Sequence, residues 1–179
     1  MSKVTSWETS EIRGPKLALN LTPENSARMI KRAKRLLIII GGEAIHMQKN
    51  NINVHNIVSR ISKSMNGTIA SSPGVYKPFT KKPELNVINM GMLNIINRVK
   101  NDKWQGFDGK GPYDIVVFIG GIYYFQSMML STLKHFAPKL KTISIDPYYH
   151  PNATFSLENM KTEKWKEGIE AMLNILEAK

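Results

Sequence analysis

Two kinds of hydrophobic pattern alternate along the chain. Leu36-Leu37-Ile38-Ile39-Ile40 and Ile115-Val116-Val117-Phe118-Ile119 are unbroken apolar runs without polar alternation. Such runs predict strands buried on both faces, as in a parallel sheet. Between them, apolar residues recur at spacings of three and four. Val54, Ile57, Val58, Ile61 and Met65 predict a helix, which Asn66-Gly67 stops. Met92, Leu93, Ile95, Ile96 and Val99 predict a second helix, and Met129, Leu130, Leu133 and Phe136 a third. Trp165, Ile169, Met172, Leu173 and Leu176 predict a terminal one. An earlier helix opens at Thr22-Pro23-Glu24: Thr22 caps, Pro23 suits the first helical position, and Glu24 meets the positive end of the dipole. Thr68-Ile69-Ala70, Val87-Ile88-Asn89 and Leu140 to Ile145 add strands. The stretch holding Pro73, Pro78 and Pro83 reads as a loop, and residues 101–112 as a polar connection.

Strands alternating with long helices predict an α/β fold: a single-domain, Rossmann-like three-layer sandwich with a mostly parallel sheet, over residues 21–179. Residues 1–20 carry no period and read as an N-terminal arm. Both apolar runs end in two glycines, Gly41-Gly42 and Gly120-Gly121, at an offset of 79 residues. That offset is too long for a solenoid and suits a doubly wound sheet with two similar crossovers.

Composition narrows the chemistry. The 179 residues include no cysteine, which excludes disulfides, thiolate zinc and any cluster held by this chain's own thiolates. A net charge of +11 favours anionic partners: nucleic acid, nucleotide or an acidic protein surface. The longest apolar run is far below the ~20 residues that span a bilayer, and the first residues lack the apolar core of a secretory signal. A cytoplasmic location is expected.

The glycine pairs are the first candidate site. At the carboxyl end of a parallel strand glycine lets backbone approach a phosphate, and it equally permits a tight turn into a helix. Neither pair completes Gly-x-Gly-x-x-Gly, and no Walker sequence occurs. Asp146, after the last strand, could accept ribose hydroxyls or form a turn with Pro147. His46, His55, His135 and His150 have no metal-ligand spacing. A triad of Ser127, His150 and Asp146 lacks the Gly-x-Ser-x-Gly elbow and is rejected. The aromatics Tyr123, Tyr124, Phe125, Tyr148 and Tyr149 cluster after adjacent strands, as core packing or as a protein-contact surface. The basic stretch 28–35 comes without a helix-turn-helix or an aromatic-basic sheet motif, so nucleic acid is the weaker partner class.

Leu21-Thr22-Pro23-Glu24 through Ala33-Lys34-Arg35 and on to Gly41 resembles the opening of the nucleotide-binding fold of deoxyhypusine synthase and thiamine diphosphate enzymes. A narrower match follows. Trp104-Gln105-Gly106-Phe107-Asp108-Gly109, Gly111-Pro112-Tyr113-Asp114-Ile115-Val116 and Tyr149-His150-Pro151-Asn152-Ala153-Thr154-Phe155-Ser156 resemble the epsilon-subunit family of archaeal acetyl-CoA decarbonylase/synthase. Val87-Ile88-Asn89, Tyr123-Tyr124 and Lys134-His135-Phe136 extend the likeness over roughly residues 20–175.

The resemblance implies an accessory chain paired with the large (alpha) nickel–iron–sulfur carbon monoxide dehydrogenase subunit, two of each (α2ε2). The partner performs the CO/CO2 chemistry, and this chain stabilises it or assists electron transfer to FAD or ferredoxin. If FAD binds, its phosphates are expected near Gly41, Gly42, Gly120 and Gly121, with Asp146 near the ribose. Tyr123, Tyr124, Tyr148, Tyr149 and His150 are the expected partner interface. No residue is expected to act as acid, base or nucleophile, and no metal site is expected. The alternatives are a free-standing FAD- or dinucleotide-binding protein and a basic nucleic-acid-binding protein.

Overall fold

A computed structural model describes residues 17–81 and 83–178. Seven strands run parallel in one sheet: β1 (Leu19–Asn20), β2 (Leu36–Ile40), β3 (Thr68–Ser71), β4 (Val87–Asn89), β5 (Ile115–Ile119), β6 (Lys141–Ser144) and β7 (Phe155–Ser156). Their spatial order is β1-β7-β6-β5-β2-β3-β4. Setting β1 aside, this is the doubly wound order, with chain direction across the sheet reversing between β2 and β5. Leu36 pairs with Ile115 and Ile40 with Ile119. The 79-residue offset of the sequence repeat is therefore the register of the two central strands.

The helices are α1 (Pro23–Lys31), α2 (Ala44–Lys49), α3 (Val54–Met65), α4 (Pro73–Tyr76), α5 (Met92–Val99), α6 (Tyr123–Phe136) and α7 (Thr162–Glu177), with a 3-10 turn at Lys77–Lys81. Alternate residues of β2 feed two cores. Leu36, Ile38 and Ile40 pack with α1, α3 and α7, whereas Leu37 and Ile39 pack with α5 and α6. Every residue of β2 and β5 is buried, which is why neither strand shows polar alternation. Local chemistry sets the helix ends. Thr22 Oγ1 accepts the Asn25 N–H at 3.3 Å, and Asn66 ends α3 in the left-handed region at φ 49°.

The structure adds to the periodicity reading in four places. Leu19–Asn20, inside the expected arm, forms β1 and pairs with β7; residues 1–16 of that arm lie outside the described residues. Phe155–Ser156 is a further strand, too short to show a period. The proline-rich loop winds into α4 and the 3-10 turn, since Pro73 suits a first helical turn. Helix α6 begins at Tyr123, six residues before the apolar face that predicted it.

Candidate functional site: the crevice at the centre of the sheet edge

Where β2 and β5 end, a crevice of about 280 Å³ opens, lined by residues including Glu43, His46, Gly120, Gly121, Tyr123 and His150. It lies at the switch point of the sheet, where open α/β folds bind ligands. At this size it falls just below the usual range of roughly 300–1,000 Å³ for small-molecule pockets.

Its floor is held by Asp146, which is almost wholly buried. One carboxylate oxygen accepts the Gly120 backbone N–H at 2.6 Å. The other accepts the Gln126 side-chain amide at 2.6 Å and the Ser144 hydroxyl at 3.1 Å. Burial pushes the Asp146 carboxyl up to about 6, against the pull of those three donors. His150 Nε2 stands 3.6 Å from the same carboxylate, too far for a hydrogen bond. Burial drives the His150 imidazole down to about 4, so it is neutral at pH 7 beside an ionised Asp146.

The glycines test the expected phosphate cradle. A cradle needs the space that a Cβ would fill to be open toward a ligand. At Gly41 that space is taken by the backbone of Gly120 and Gly121, with Gly120 O 2.5 Å from the ideal Cβ position. At Gly121 it is taken by the Gln126 side chain. Gly120 has φ +68°, and a Cβ there would stand 2.9 Å from Ala44 N. Only Gly42 has nothing within 4 Å. Three of the four glycines thus let two strand ends and their turns pack on one another. Gly41 is buried behind that contact and is not among the residues that line the crevice. Asp146 already accepts three donors and is almost wholly buried, so the ribose contact expected there has little room. The space behind three of the glycines is thus filled by the protein itself, and only Gly42 faces open space.

The tyrosines separate into two groups. Tyr124 is 67% and Tyr148 61% exposed, and Tyr123 is nearly half exposed. They share the rim of the sheet edge with exposed Ile45, Ile122 and Met128. Tyr149 and His150 turn inward. The Tyr149 phenol donates to Ala18 O at 2.7 Å and ties the incoming chain to this loop. His150 is 1% exposed beneath the Tyr123 ring, with ring centroids 4.6 Å apart. It supports Tyr123, whose phenol donates to Tyr149 O at 3.1 Å.

Sequence reasoning missed Gln126 and Ser144, the side chains that hold Asp146. A signal existed for Gln126, which lies three and four residues before Met129 and Leu130 and so falls on the buried face of α6. Among the described residues, no group of three or more His, Asp or Glu could hold a metal ion, and no helix is long and apolar enough to cross a membrane.

Comparison with known proteins adds an independent finding. The family model described as "CO dehydrogenase beta subunit/acetyl-CoA synthase epsilon subunit" matches residues 1–173. The chain is 34% identical over 170 residues to the acetyl-CoA decarbonylase/synthase complex subunit epsilon of Methanothermobacter thermautotrophicus, covering 95% of each. It is 36% identical over 159 residues to subunit epsilon 1 of Archaeoglobus fulgidus, covering 88% of this chain and 83% of that one. To subunit epsilon of Methanothrix soehngenii it is 34% identical over 155 residues, covering 86% and 80%.

Proposed function

Because the chain belongs to the acetyl-CoA synthase epsilon-subunit family, we propose that it is a non-catalytic docking subunit of the acetyl-CoA decarbonylase/synthase complex. Its partner in this reading is the large nickel–iron–sulfur carbon monoxide dehydrogenase subunit, in a cytoplasmic assembly of two chains of each kind. Its work there is to stabilise that subunit while the partner interconverts CO and CO2.

The observation that carries the reading is the rim of the central crevice. Tyr123, Tyr148 and Ile122 line it and stand exposed, with Tyr124 exposed beside Tyr123, at the edge where folds of this order bind ligands. Exposed aromatics grouped on one edge suit protein contact, because they bury large area at low entropic cost. A flavin-carrying role is less well supported, because the space behind three of the glycines is filled by the protein itself and Asp146 is buried.

Co-expression of the tagged full chain with the large subunit tests the proposal. An equimolar complex should co-purify, and Tyr124→Asp with Tyr148→Asp should dissolve it without lowering the thermal midpoint of the isolated chain. A chain that ignores the large subunit would sink the proposal. Unchanged assembly by the double variant would move the interface elsewhere.

A further inference from the structure

The opposite edge of the sheet carries a second feature. Where β2, β3 and β5 begin, a polar cleft of about 180 Å³ is lined by Lys34, Arg35, Asn66, Asp108, Lys110 and Tyr113, among others. Arg35 is its fixed point. The guanidinium lies over the Tyr113 ring, 5.1 Å from its centroid, and one Nη donates to Asp108 at 2.5 Å.

The loop from Gly106 to Gly111 is shaped around that side chain. Gly106, at φ +76°, leaves its Cβ side to Arg35 Nη2 at 2.9 Å and Gly111 O at 2.7 Å. The Lys110 N–H returns to the same Asp108 oxygen at 3.2 Å. The arginine is therefore held in place before anything binds.

Charge in the cleft is not balanced. Three cations line it against the single carboxylate of Asp108. The next carboxylate, Asp114, is spent on the backbone N–H groups of Lys34 and Arg35 at 3.0 and 2.8 Å. Arg35 meets its partner through one nitrogen, not through the two-bond fork that satisfies a guanidinium. Arg32 and Lys139 fall in the short segments that lead into β2 and β6. A compact oxyanion with several acceptor oxygens would complete this arrangement, and the cleft is too small for a nucleoside.

We propose that this cleft is a binding site for the phosphate group of a small anionic ligand, held by Arg35, Lys34 and Lys110. It lies at the amino end of the strands, away from the tyrosine rim, so ligand and protein partner could be held together.

Calorimetric titration of the full chain with pyrophosphate and with inorganic phosphate, at constant ionic strength, tests the site. Saturable one-site binding is expected. Lys34→Ala and Lys110→Ala should each weaken it about fivefold or more, as expected for loss of a charge-assisted contact. Arg35→Lys should weaken it too, because the charge remains while the planar fork is lost. Lys77→Ala, beyond the carboxyl end of β3, should leave it unchanged. Circular dichroism checks that each variant is folded. No saturable binding at millimolar ligand would overturn the proposal. So would equal weakening by Lys77→Ala, or binding confined to a long polyanion such as heparin, since either marks the overall charge and not a site.

Discussion

The Asp146 carboxylate accepts the backbone N–H of Gly120 at 2.6 Å, tying the end of β6 to the turn that follows β5. Gly120 stands at φ +68°, where a side chain would meet Ala44. Asp146 is thus a strut for the central turn, and its other oxygen anchors α6 through Gln126.

Removing the strut should be costly in a graded way. Asp146→Ala leaves the Gly120 N–H buried without an acceptor and the Gln126 amide with only Ser144 Oγ at 3.3 Å, a loss of about 3 kcal/mol. Asp146→Asn should cost only about 1 kcal/mol. Gln126 Oε1 has no partner in the native arrangement, so a flipped Gln126 amide can accept from the substituted side chain. Denaturant unfolding of the two variants against wild type measures the difference.

Asp146 and His150 should pull stability in opposite directions as pH changes. Asp146 titrates higher when folded, about 6 against 3.8, so its contribution is present at low pH and fades as pH rises through 6. His150 titrates lower when folded, about 4 against 6.5, so its contribution is present above 6.5 and fades as pH falls toward 4. Between about pH 4 and 6 the two slopes oppose each other. In Asp146→Asn the His150 slope stands alone, and stability should fall more steeply from pH 6.5 to 4 than in wild type. Thermal midpoints across that range would show it; parallel profiles would refute it.

The two residues of the first glycine pair should respond differently to alanine. At Gly41 the added methyl meets the Gly120–Gly121 backbone, which cannot yield as a flexible side chain would. We expect Gly41→Ala to cost about 3 kcal/mol or to prevent folding. Gly42→Ala projects into open space and should stay within about 0.5 kcal/mol of wild type. Soluble yield and unfolding midpoints decide this. The open position also makes Gly42→Ala a safe background for binding assays at this edge.

Arg60 joins α3 to the middle and the C-terminal end of α7, through Glu170 at 2.8 Å and Glu177 at 2.6 Å. Arg60 in turn holds the Glu177 carboxyl below the usual range. The pairs are open to solvent, so Arg60→Met should cost only about 0.5–1 kcal/mol. The cost should shrink as salt is raised, and as pH falls and Glu177 protonates. A double-mutant cycle with Glu177→Gln at low and high salt would measure it.

Much of the scaffold was legible because its signals are local. Five aliphatic residues without alternation at 36–40 can be satisfied only between two layers, and the repeat at 115–119 carries the same demand. Thr22-Pro23 and Asn66-Gly67 announce helix ends by backbone chemistry alone. Strands of two residues, such as β1 and β7, give no period to read, and they exist only because a neighbour offers hydrogen bonds. Likewise α6 is amphipathic over only part of its length, so its first turn carried no helical pattern.

By itself, the sequence determined the α/β class, the parallel sheet, its two fully buried strands and the family likeness, because periodicity and ordered strings survive without coordinates. The tertiary structure decided what the conspicuous residues do. Glycines that read equally as a phosphate cradle or a tight turn became a packing contact once Gly41 met Gly121. An aspartate open to two roles became a buried strut, and a run of Tyr148-Tyr149-His150 divided into one exposed ring and two inward ones. The reason is physical: a residue type states which bonds it can make, while burial and neighbours decide which of them are already made.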